Sequence, residues 1–117
     1  MTIENIKDIL NARVLSGGER LQNDVHSACG SDLMSDVLAF VKDQAVLLTG
    51  LLNPQVVRTA EMMDMKCIVF VRGKEPDDAI LSLAAGRGIA VLTTALRMYD
   101  ACGRLYAAGL HGVVDAP

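Results

Sequence analysis

Two uninterrupted apolar runs, each followed by a glycine and then a proline, organise the middle of the chain. Ala45–Thr49 precedes Pro54, and Cys67–Val71 precedes Pro76, with a glycine in each connection. A buried strand that leads into a helix often has this pattern, because proline lacks the amide proton that the first helical turn leaves unbonded. Two such units in tandem predict a parallel sheet that is covered on both faces.

Periodic apolar positions predict further strands and helices along the rest of the chain. Strand patterns occur at Arg13–Ser16, weakly at Val25–Cys29, and at Ile89–Leu92. Helical spacing predicts five helices, which begin near Ile3, at Ser31-Asp32, at Asn53-Pro54, near Pro76, and at Ala95 behind a Thr93-Thr94 cap. We therefore expect a single α/β domain over residues 1–117, with a mainly parallel β-sheet flanked by helices on both faces.

Two of these segments carry more detailed expectations. In the helix after Ser31-Asp32, where either residue could serve as the N-cap, we expect one broad buried face formed by Leu33, Met34, Val37, Leu38 and Val41. The tail Leu110–Pro117 is short, and we expect it to be loosely held.

The composition changes the picture in two respects. The chain of 117 residues is 51% hydrophobic but only 3% aromatic, and its mean hydropathy is +0.33. A small domain cannot hide so much apolar surface, so we expect a homodimer.

The net charge of −3 and the absence of a Lys/Arg run argue against a nucleic-acid partner. No apolar stretch approaches a membrane span and no signal-peptide pattern opens the chain, so we expect a cytoplasmic protein that does not bind membranes.

The cysteines agree with a reducing compartment. Cys29, Cys67 and Cys102 are odd in number, far apart, and outside any Cys-x-x-Cys arrangement. Cys67 and Cys102 fall at positions expected to be buried. Cys29 stands beside Gly30 at a predicted helix start, so it is the one thiol whose pKa could be lowered, although a thiol without a function is the favoured interpretation.

The carboxyl ends of the parallel strands form the candidate ligand site, because ligands of open α/β sheets bind there. Arg72 and Lys74 could offset the charge of an anion such as a nucleotide, and helices predicted to begin at Asn53-Pro54 and Thr94-Ala95 would offer free N–H groups. The alternative is that these residues only cap helices and solvate a turn, since no phosphate-loop motif is present. The candidate site comprises Gly50, Asn53, Arg72, Gly73, Lys74, Thr93 and Thr94.

No catalytic or metal-binding constellation is recognisable in the sequence. Asp32 and Asp36 lack a histidine or third carboxylate at compatible spacing, so capping is the favoured interpretation of this acidic segment. His26 and His111 are isolated from any candidate nucleophile. We therefore expect a protein that is not an enzyme and carries no cofactor or metal. The alternative is a small phosphoryl- or nucleotide-handling enzyme that holds phosphate with Arg72 and Lys74.

Tyr99 and Tyr106 are seven residues apart and share one face of the last helix. Tyrosine combines a large apolar ring with a polar tip and is enriched in protein interfaces. We expect both residues to lie in the dimer interface or to contact a protein partner. The alternative, that both rings cover the protein's own sheet, is equally compatible with the sequence.

Four segments resemble the DRTGG domain over about residues 10–110: Cys29–Ala39, Asn53–Val57, Arg72–Asp77 and Gly103–Leu110. The same resemblance extends to the N-terminal domain of HPr kinase/phosphorylase. It implies a non-catalytic accessory module, often dimerising or regulatory.

The chain departs from the residues that give this family its name. Many members have Gly-Asp-Arg after the first parallel strand, where this chain has Gly50–Asn53, and Thr-Gly-Gly after the next, where it has Val71–Gly73. Only Gly50 and Gly73 carry over, so the chain is similar to a stand-alone variant of the family.

Overall fold

Strands and helices alternate along the residues that the structure describes, 1–40 and 44–112 of a computed structural model. A 3₁₀ helix at Gly18–Arg20 follows the first strand. In chain order the elements are α1 (Ile3–Ile9), β1 (Arg13–Ser16), β2 (Ser27–Gly30), α2 (Met34–Phe40), β3 (Ala45–Thr49), α3 (Pro54–Met62), β4 (Cys67–Phe70), α4 (Asp78–Gly86), β5 (Ala90–Thr93) and α5 (Met98–Ala107).

The five strands form one sheet in the order β1-β5-β4-β3-β2. Strands β2 to β5 are parallel, with Leu47 opposite Ile68 and Ile68 opposite Val91. Strand β1 lies at the edge and runs antiparallel to β5, with Arg13 opposite Thr93. The predicted mainly parallel sheet is confirmed, and β1 is the strand whose direction the sequence pattern does not reveal.

Helices cover both faces of the sheet, as predicted. The three connections from β2 to β5 place α2, α3 and α4 on one face, because successive parallel strands added in one direction by crossovers of the same hand put every helix on that side. Helices α1 and α5 cover the other face. Alternate strand residues serve the two cores: Leu47 and Ile68 point toward α2–α4, whereas Leu48 and Val69 point toward α1 and α5.

Local capping signals place the starts of α1 and α3 correctly, but α4 does not have Pro76 in its first turn as predicted. The Thr2 hydroxyl accepts a hydrogen bond from the Asn5 N–H at 3.1 Å and begins α1. The Asn53 side chain accepts from the Gln55 N–H at 2.8 Å, and Pro54 occupies the first helical position of α3. Helix α4 begins at Asp78, just after Pro76, because Asp77 accepts from the Ile80 N–H at 2.9 Å.

Helix α2 differs from its prediction. It begins at Met34, and the carboxylate of Asp32 bonds to the next strand instead of capping the helix. Met34 and Val37 are buried, but Leu33 and Leu38 are exposed, so the buried face is narrower than expected. The predicted position of Val41 lies outside the described residues.

Helix α5 and the segment after it also differ from their predictions. The helix begins at Met98 and not at Ala95, and Arg97 at its N-cap makes no side-chain capping bond. The predicted cap residue Thr94 donates its hydroxyl proton to the Leu10 carbonyl at 2.8 Å. Beyond α5, Leu110 is buried and the His111 carbonyl accepts from the Ala28 N–H at 3.0 Å. Residues 110–112 are therefore held against β2, contrary to expectation, while residues 113–117 of the predicted loose tail lie outside the described residues.

Candidate functional site

Four connections meet at one edge of the sheet, which we call the carboxyl edge. Because β2 to β5 are parallel, the residues that follow them lie side by side: Ser31-Asp32 after β2, Gly50-Leu51 after β3, Arg72–Lys74 after β4, and Thr94 after β5. The carboxyl edge therefore brings together one carboxylate, two cationic side chains and two hydroxyl-bearing loops.

Asp32 joins the first two of these connections. Its Oδ1 accepts a hydrogen bond from the Gly50 N–H at 2.6 Å and another from the Thr49 hydroxyl at 3.2 Å. The Thr49 hydroxyl in turn accepts from the Leu51 N–H at 3.2 Å, and Thr49 itself is fully buried. The carboxylate therefore fixes the backbone that leaves β3.

Arg72 reaches the same carboxylate from the neighbouring loop. Its Nη2 lies 3.6 Å from Asp32 Oδ2, and both side chains are about half exposed, 45% and 48%. Its guanidinium lies directly over Gly50: a Cβ at Gly50 would be 2.7 Å from Arg72 Cζ. Glycine at position 50 therefore leaves the space into which the guanidinium packs.

The backbone of Arg72 is held in an uncommon conformation. Its φ is +61°, that of Gly73 is +68°, and the Lys74 N–H donates to the Val71 carbonyl at 3.2 Å. Two positive φ angles at the centre of a closed turn are typical of type I′ turns, and a side chain at the first of them is strained. The Arg72 N–H donates to the Leu96 carbonyl at 2.8 Å, which fixes the turn in place.

The threonines at this edge are bonded within the chain. Thr93 donates its hydroxyl proton to the Lys74 carbonyl at 2.7 Å, and Thr94 donates to the Leu10 carbonyl. The side chain of Lys74 is exposed, and it has no ion-pair partner among residues 1–40 and 44–112. The carboxyl edge therefore presents one unpaired cation at Lys74 and one weakly paired cation at Arg72.

Most of the predicted site residues lie at this edge, but their contacts within the chain differ. Gly50 and Arg72 are in contact, while Thr93 bonds to the Lys74 backbone. Asn53 caps α3, whose N-terminus opens at the same edge. The second predicted helix terminus, at Thr94-Ala95, is wrong because α5 begins three residues later. The assignment of these residues to a ligand site stays a prediction.

The depressions of the surface differ in size at the two ends of the strands. At the carboxyl edge, Arg13, Gly73, Glu75 and Thr93 line a depression of about 230 Å³. Ligand cavities for drug-sized molecules are typically roughly 300–1,000 Å³, so this depression is too small for a whole nucleotide. A larger cavity of about 670 Å³ lies at the opposite edge, and its described lining includes Met1, Asp8 and His26.

Sequence reasoning missed three charged residues of the carboxyl edge. Asp32 was interpreted as a helix cap, and a firmer assignment of β2 as a parallel strand would have placed it beside Gly50. Arg13 and Glu75 form an ion pair across β1 and the loop after β4. No sequence signal marks this pair, because the two residues are 62 positions apart.

The thiols are less acidic than free cysteine. Burial raises the pKa of Cys29, and the nearby Cys102 and Asp36 raise it further. The alternative of a lowered pKa at Cys29 is therefore wrong, since the thiol is half-buried and lies five residues before the start of α2. Burial also raises the pKa of Cys102 and of the fully buried Cys67.

Metal sites and membrane-spanning helices can be assessed for the described residues. No three His, Cys, Asp or Glu side chains within residues 1–40 and 44–112 are grouped so that they could hold a metal ion. Among the helices of the same residues, none is long and apolar enough to cross a bilayer.

Residues 5–108 match the family model of the DRTGG domain, and the chain belongs to this family. The crystal structure of the CBS and DRTGG domains of the regulatory region of Clostridium perfringens pyrophosphatase, complexed with its activator diadenosine tetraphosphate, has a TM-score of 0.70 with this chain. The two share 20% sequence identity over 94% of this chain and 47% of that one, a level that shows the fold. This chain thus spans about half of that regulatory region. No curated protein matches the sequence.

The family comparison gives the charges at the carboxyl edge a context. The loop after β3 has Leu51 and Leu52 where the resemblance implies Asp and Arg. The carboxylate and guanidinium of this edge come instead from Asp32, after β2, and Arg72, after β4. The chain therefore has an Asp–Arg pair at this edge although its two loops lack the residues that name the family.

Proposed function

We propose that this chain is a non-catalytic regulatory or scaffolding domain of the cytoplasm, homodimeric, that senses a small nucleotide-like anion at the carboxyl edge. The observation that carries the proposal is the position of Arg72, whose strained backbone holds the guanidinium over Gly50 beside an unpaired Lys74. Backbone strain of this kind persists where the surrounding structure enforces it, and it is concentrated at ligand sites.

The electrostatics of the edge suit a reversible response. The Arg72–Asp32 pair is half-exposed and 3.6 Å long, and pairs of this kind contribute at most about 1 kcal/mol. A phosphate oxygen can form shorter, bidentate bonds to a guanidinium, so it would compete with Asp32 for Arg72. Asp32 also accepts the hydrogen bond of the Gly50 N–H. Loss of the Arg72–Asp32 ion pair on anion binding would therefore change the position of Asp32 and, through it, the loop between β3 and α3.

The solved regulatory region adds a second, independent line of support. That region, which contains a DRTGG domain, was crystallised with the activator diadenosine tetraphosphate. A polyphosphate ligand has the charge that Arg72 and Lys74 would neutralise. The nearby depression is lined by Arg13 and the carboxylate of Glu75, so the proposal places the anion on the exposed side chains of Arg72 and Lys74 and not inside that depression.

The hydroxyl groups at the edge argue for binding over catalysis. Thr93 and Thr94 both donate their protons to backbone carbonyls, and His111 stacks on Tyr106 away from this edge. A nucleophile requires a base within hydrogen-bond reach. A third hydroxyl, that of Thr49, donates to the Asp32 carboxylate at 3.2 Å, but Thr49 is fully buried and does not face a ligand. The exposed side chains Arg72 and Lys74 can hold an anion but supply no nucleophile–base pair.

The test is a titration of the protein with adenine and guanine nucleotides and with inorganic pyrophosphate, followed by calorimetry and thermal unfolding. A ligand at a hundred times its Kd adds about 2.7 kcal/mol to the stability of the protein. We expect Arg72→Gly to abolish this shift without lowering the melting temperature of the free protein, because glycine relieves the positive φ. A flat response to every compound would contradict anion sensing.

Arg87→Ala is the matched control for this experiment. Arg87 pairs with Glu61, and the two side chains are 47% and 50% exposed, close to the values for Arg72 and Asp32. It follows α4, at the end of the sheet away from the carboxyl edge. We expect this variant to bind the anion as the wild type does. Turnover of any nucleotide that Arg72→Gly abolishes would instead support the alternative of a small phosphoryl-handling enzyme.

A further inference from the structure

The outer face of α5 carries a set of side chains without partners in the described chain. Tyr99 is 88% exposed and Tyr106 is 63% exposed. Asp100 and Arg104 are exposed, and neither has an ion-pair partner within residues 1–40 and 44–112. The inner face of the helix is buried through Ala101 and Leu105, so these unpartnered groups belong to the opposite side.

Gly103 lies at the centre of this outer face. A Cβ at this position would meet no atom within 4 Å, so the fold of the single chain does not require glycine here. Glycine is the residue least favourable to a helix interior apart from proline. Its usual advantage in a helix is to let a second backbone approach closely.

The surface around Gly103 is concave on both sides. One shallow depression of about 380 Å³ lies between the two tyrosines and Gly103, and another of about 390 Å³ lies beside Asp100 and Arg104. On a helix with 3.6 residues per turn, Tyr99 and Tyr106 form one edge of the face, and Asp100 and Arg104 form the other. Gly103 and Ala107 lie in the valley between these edges.

We propose that this face binds the same face of a second copy, with the two α5 helices antiparallel and in close contact at Gly103. This inference rests on the homodimer of the proposed function and assigns it an interface. A two-fold axis perpendicular to both helices keeps equivalent edges on the same side. It therefore places Tyr99 beside Tyr106 of the second copy, and Asp100 beside Arg104 of the second copy.

Charge selects this direction over the parallel one. A two-fold axis along the helices would bring the tyrosine edge of one copy against the charged edge of the other, and Asp100 would not meet Arg104. The antiparallel arrangement forms the Asp100–Arg104 pair twice, once on each side of the axis. Tyr106 is already oriented for contact, because its ring stacks on His111 with centroids 4.2 Å apart. A side chain held in place before binding loses less entropy on association.

The surface of one ten-residue helix is smaller than a standard protein interface, so we expect a Kd on the order of micromolar. The experiment is sedimentation velocity of the purified chain over a concentration series around that value. Gly103→Ala should raise the melting temperature of the monomer and still weaken association at least tenfold. Gly86→Ala is the matched control: this helical glycine also has open space around a Cβ, so the change should raise the melting temperature without affecting association.

Charge reversal tests the antiparallel direction. Asp100→Arg and Arg104→Asp should each weaken self-association at least tenfold, because like charges then face each other across the axis. Mixing the two single variants should restore association as a heterodimer, since one copy then supplies two arginines and the other two aspartates. The double variant carrying both changes should also associate.

The outcomes separate this inference from the proposal on which it rests. A wild-type dimer that neither Gly103→Ala nor charge reversal weakens would overturn the α5 interface and leave the homodimer intact. A wild-type chain that stays monomeric throughout the series would overturn both the interface and the homodimer, while anion sensing would still be decided by the nucleotide titration. Weakened single variants whose mixture fails to associate would overturn the antiparallel direction.

Discussion

The carboxyl edge and the outer face of α5 both expose charged side chains, but they differ in how those side chains are satisfied. At the carboxyl edge, Asp32 accepts two hydrogen bonds and faces Arg72, and both threonines are bonded to backbone carbonyls. On α5, Asp100 and Arg104 have no charged partner in the described chain. Removing the hydrogen-bonded side chains of Asp32 or Thr94 at the edge should therefore lower the stability of the monomer, whereas reversing the charges on α5 should weaken its association.

The largest effect on stability is expected from Asp32→Ala. The change removes the acceptor of the Gly50 N–H and of the hydroxyl of the buried Thr49. A buried donor left without its partner costs about 1–3 kcal/mol, and the half-exposed ion pair to Arg72 adds less than that. We expect a loss of about 3 kcal/mol in the free energy of unfolding, measured by urea denaturation with circular dichroism.

The control for Asp32→Ala is Asp36→Ala. Asp36 is an exposed carboxylate on α2 without an ion-pair or hydrogen-bond partner in the part of the chain that the structure describes. Its removal should change the free energy of unfolding by less than about 0.5 kcal/mol. Equal effects of the two variants would contradict a structural role for Asp32 and erase the contrast between the two regions.

A smaller loss is expected from Thr94→Val. The hydroxyl of Thr94 is buried and donates to the Leu10 carbonyl, which joins β5 to the end of α1. Valine fills the same space but leaves that carbonyl unbonded, at a cost of about 2 kcal/mol. Thr94→Ser keeps the hydroxyl, so it should recover most of the loss in the same urea measurement. A serine variant as unstable as the valine variant would assign the effect to packing.

The buried thiol of Cys67 makes stability depend on alkaline pH. Burial raises the pKa of Cys67 in the folded protein above that of the unfolded chain, so the folded state retains a proton that the unfolded state loses. The stabilisation from this thiol is complete below the unfolded pKa of about 8.5 and falls as the pH rises above it, by about 1.4 kcal/mol at about pH 9.5.

Urea denaturation at about pH 7.5 and about pH 9.5 measures this dependence. Cys67→Ala should be less stable at the lower pH but should lose less stability between the two values. A variant with the same alkaline loss as the wild type would exclude Cys67 as its source. Because the thiol lies between the sheet and the α1/α5 layer, no effect on association is expected.

The smallest effect on the monomer is expected from removing both tyrosines. The double variant Tyr99→Ala with Tyr106→Ala loses one ring that is almost fully exposed and one that stacks on His111. We expect less than about 1 kcal/mol in the free energy of unfolding but at least roughly a tenfold weaker association in sedimentation experiments. Met62→Ala, which removes an exposed side chain of α3, should change neither. Intact dimerisation of the double variant would point instead to the exposed Leu33, just before α2, and Leu38 on α2.

Local signals account for the parts of the fold that the sequence predicts well. Asn53 and Pro54 define the start of α3 through bonds within three residues, and Ala45–Thr49 is buried throughout, with apolar residues from Ala45 to Leu48, because both faces are covered. The alternative that both tyrosines cover the protein's own sheet is wrong, and their exposure follows from the burial of Ala101 and Leu105 on the opposite side of α5.

The parts that the sequence does not predict depend on distant contacts. Asp32 bonds to residues 17 and 18 positions away. The neighbouring sequence therefore does not indicate whether its carboxylate caps a helix or bonds to the adjacent strand. Helix α5 begins at Met98 and not at Ala95. The Thr94 hydroxyl donates to a carbonyl 84 residues earlier and accepts the Leu96 N–H at 3.3 Å, an arrangement that the local pattern does not distinguish from a helix cap. At the candidate site the sequence identifies Gly50 and Arg72, but not that they touch.

The antiparallel edge strand has a consequence for how the chain folds. Strand β1 pairs with β5, so Arg13 lies opposite Thr93, a residue far away along the sequence. Strands β3, β4 and β5, in contrast, each add to the strand that precedes them in the chain. Loop closure over so many residues is slow compared with local pairing. During synthesis on the ribosome, the first sixteen residues must therefore wait for the last strand, and α1 with β1 docks as a closing step once β5 has joined the sheet.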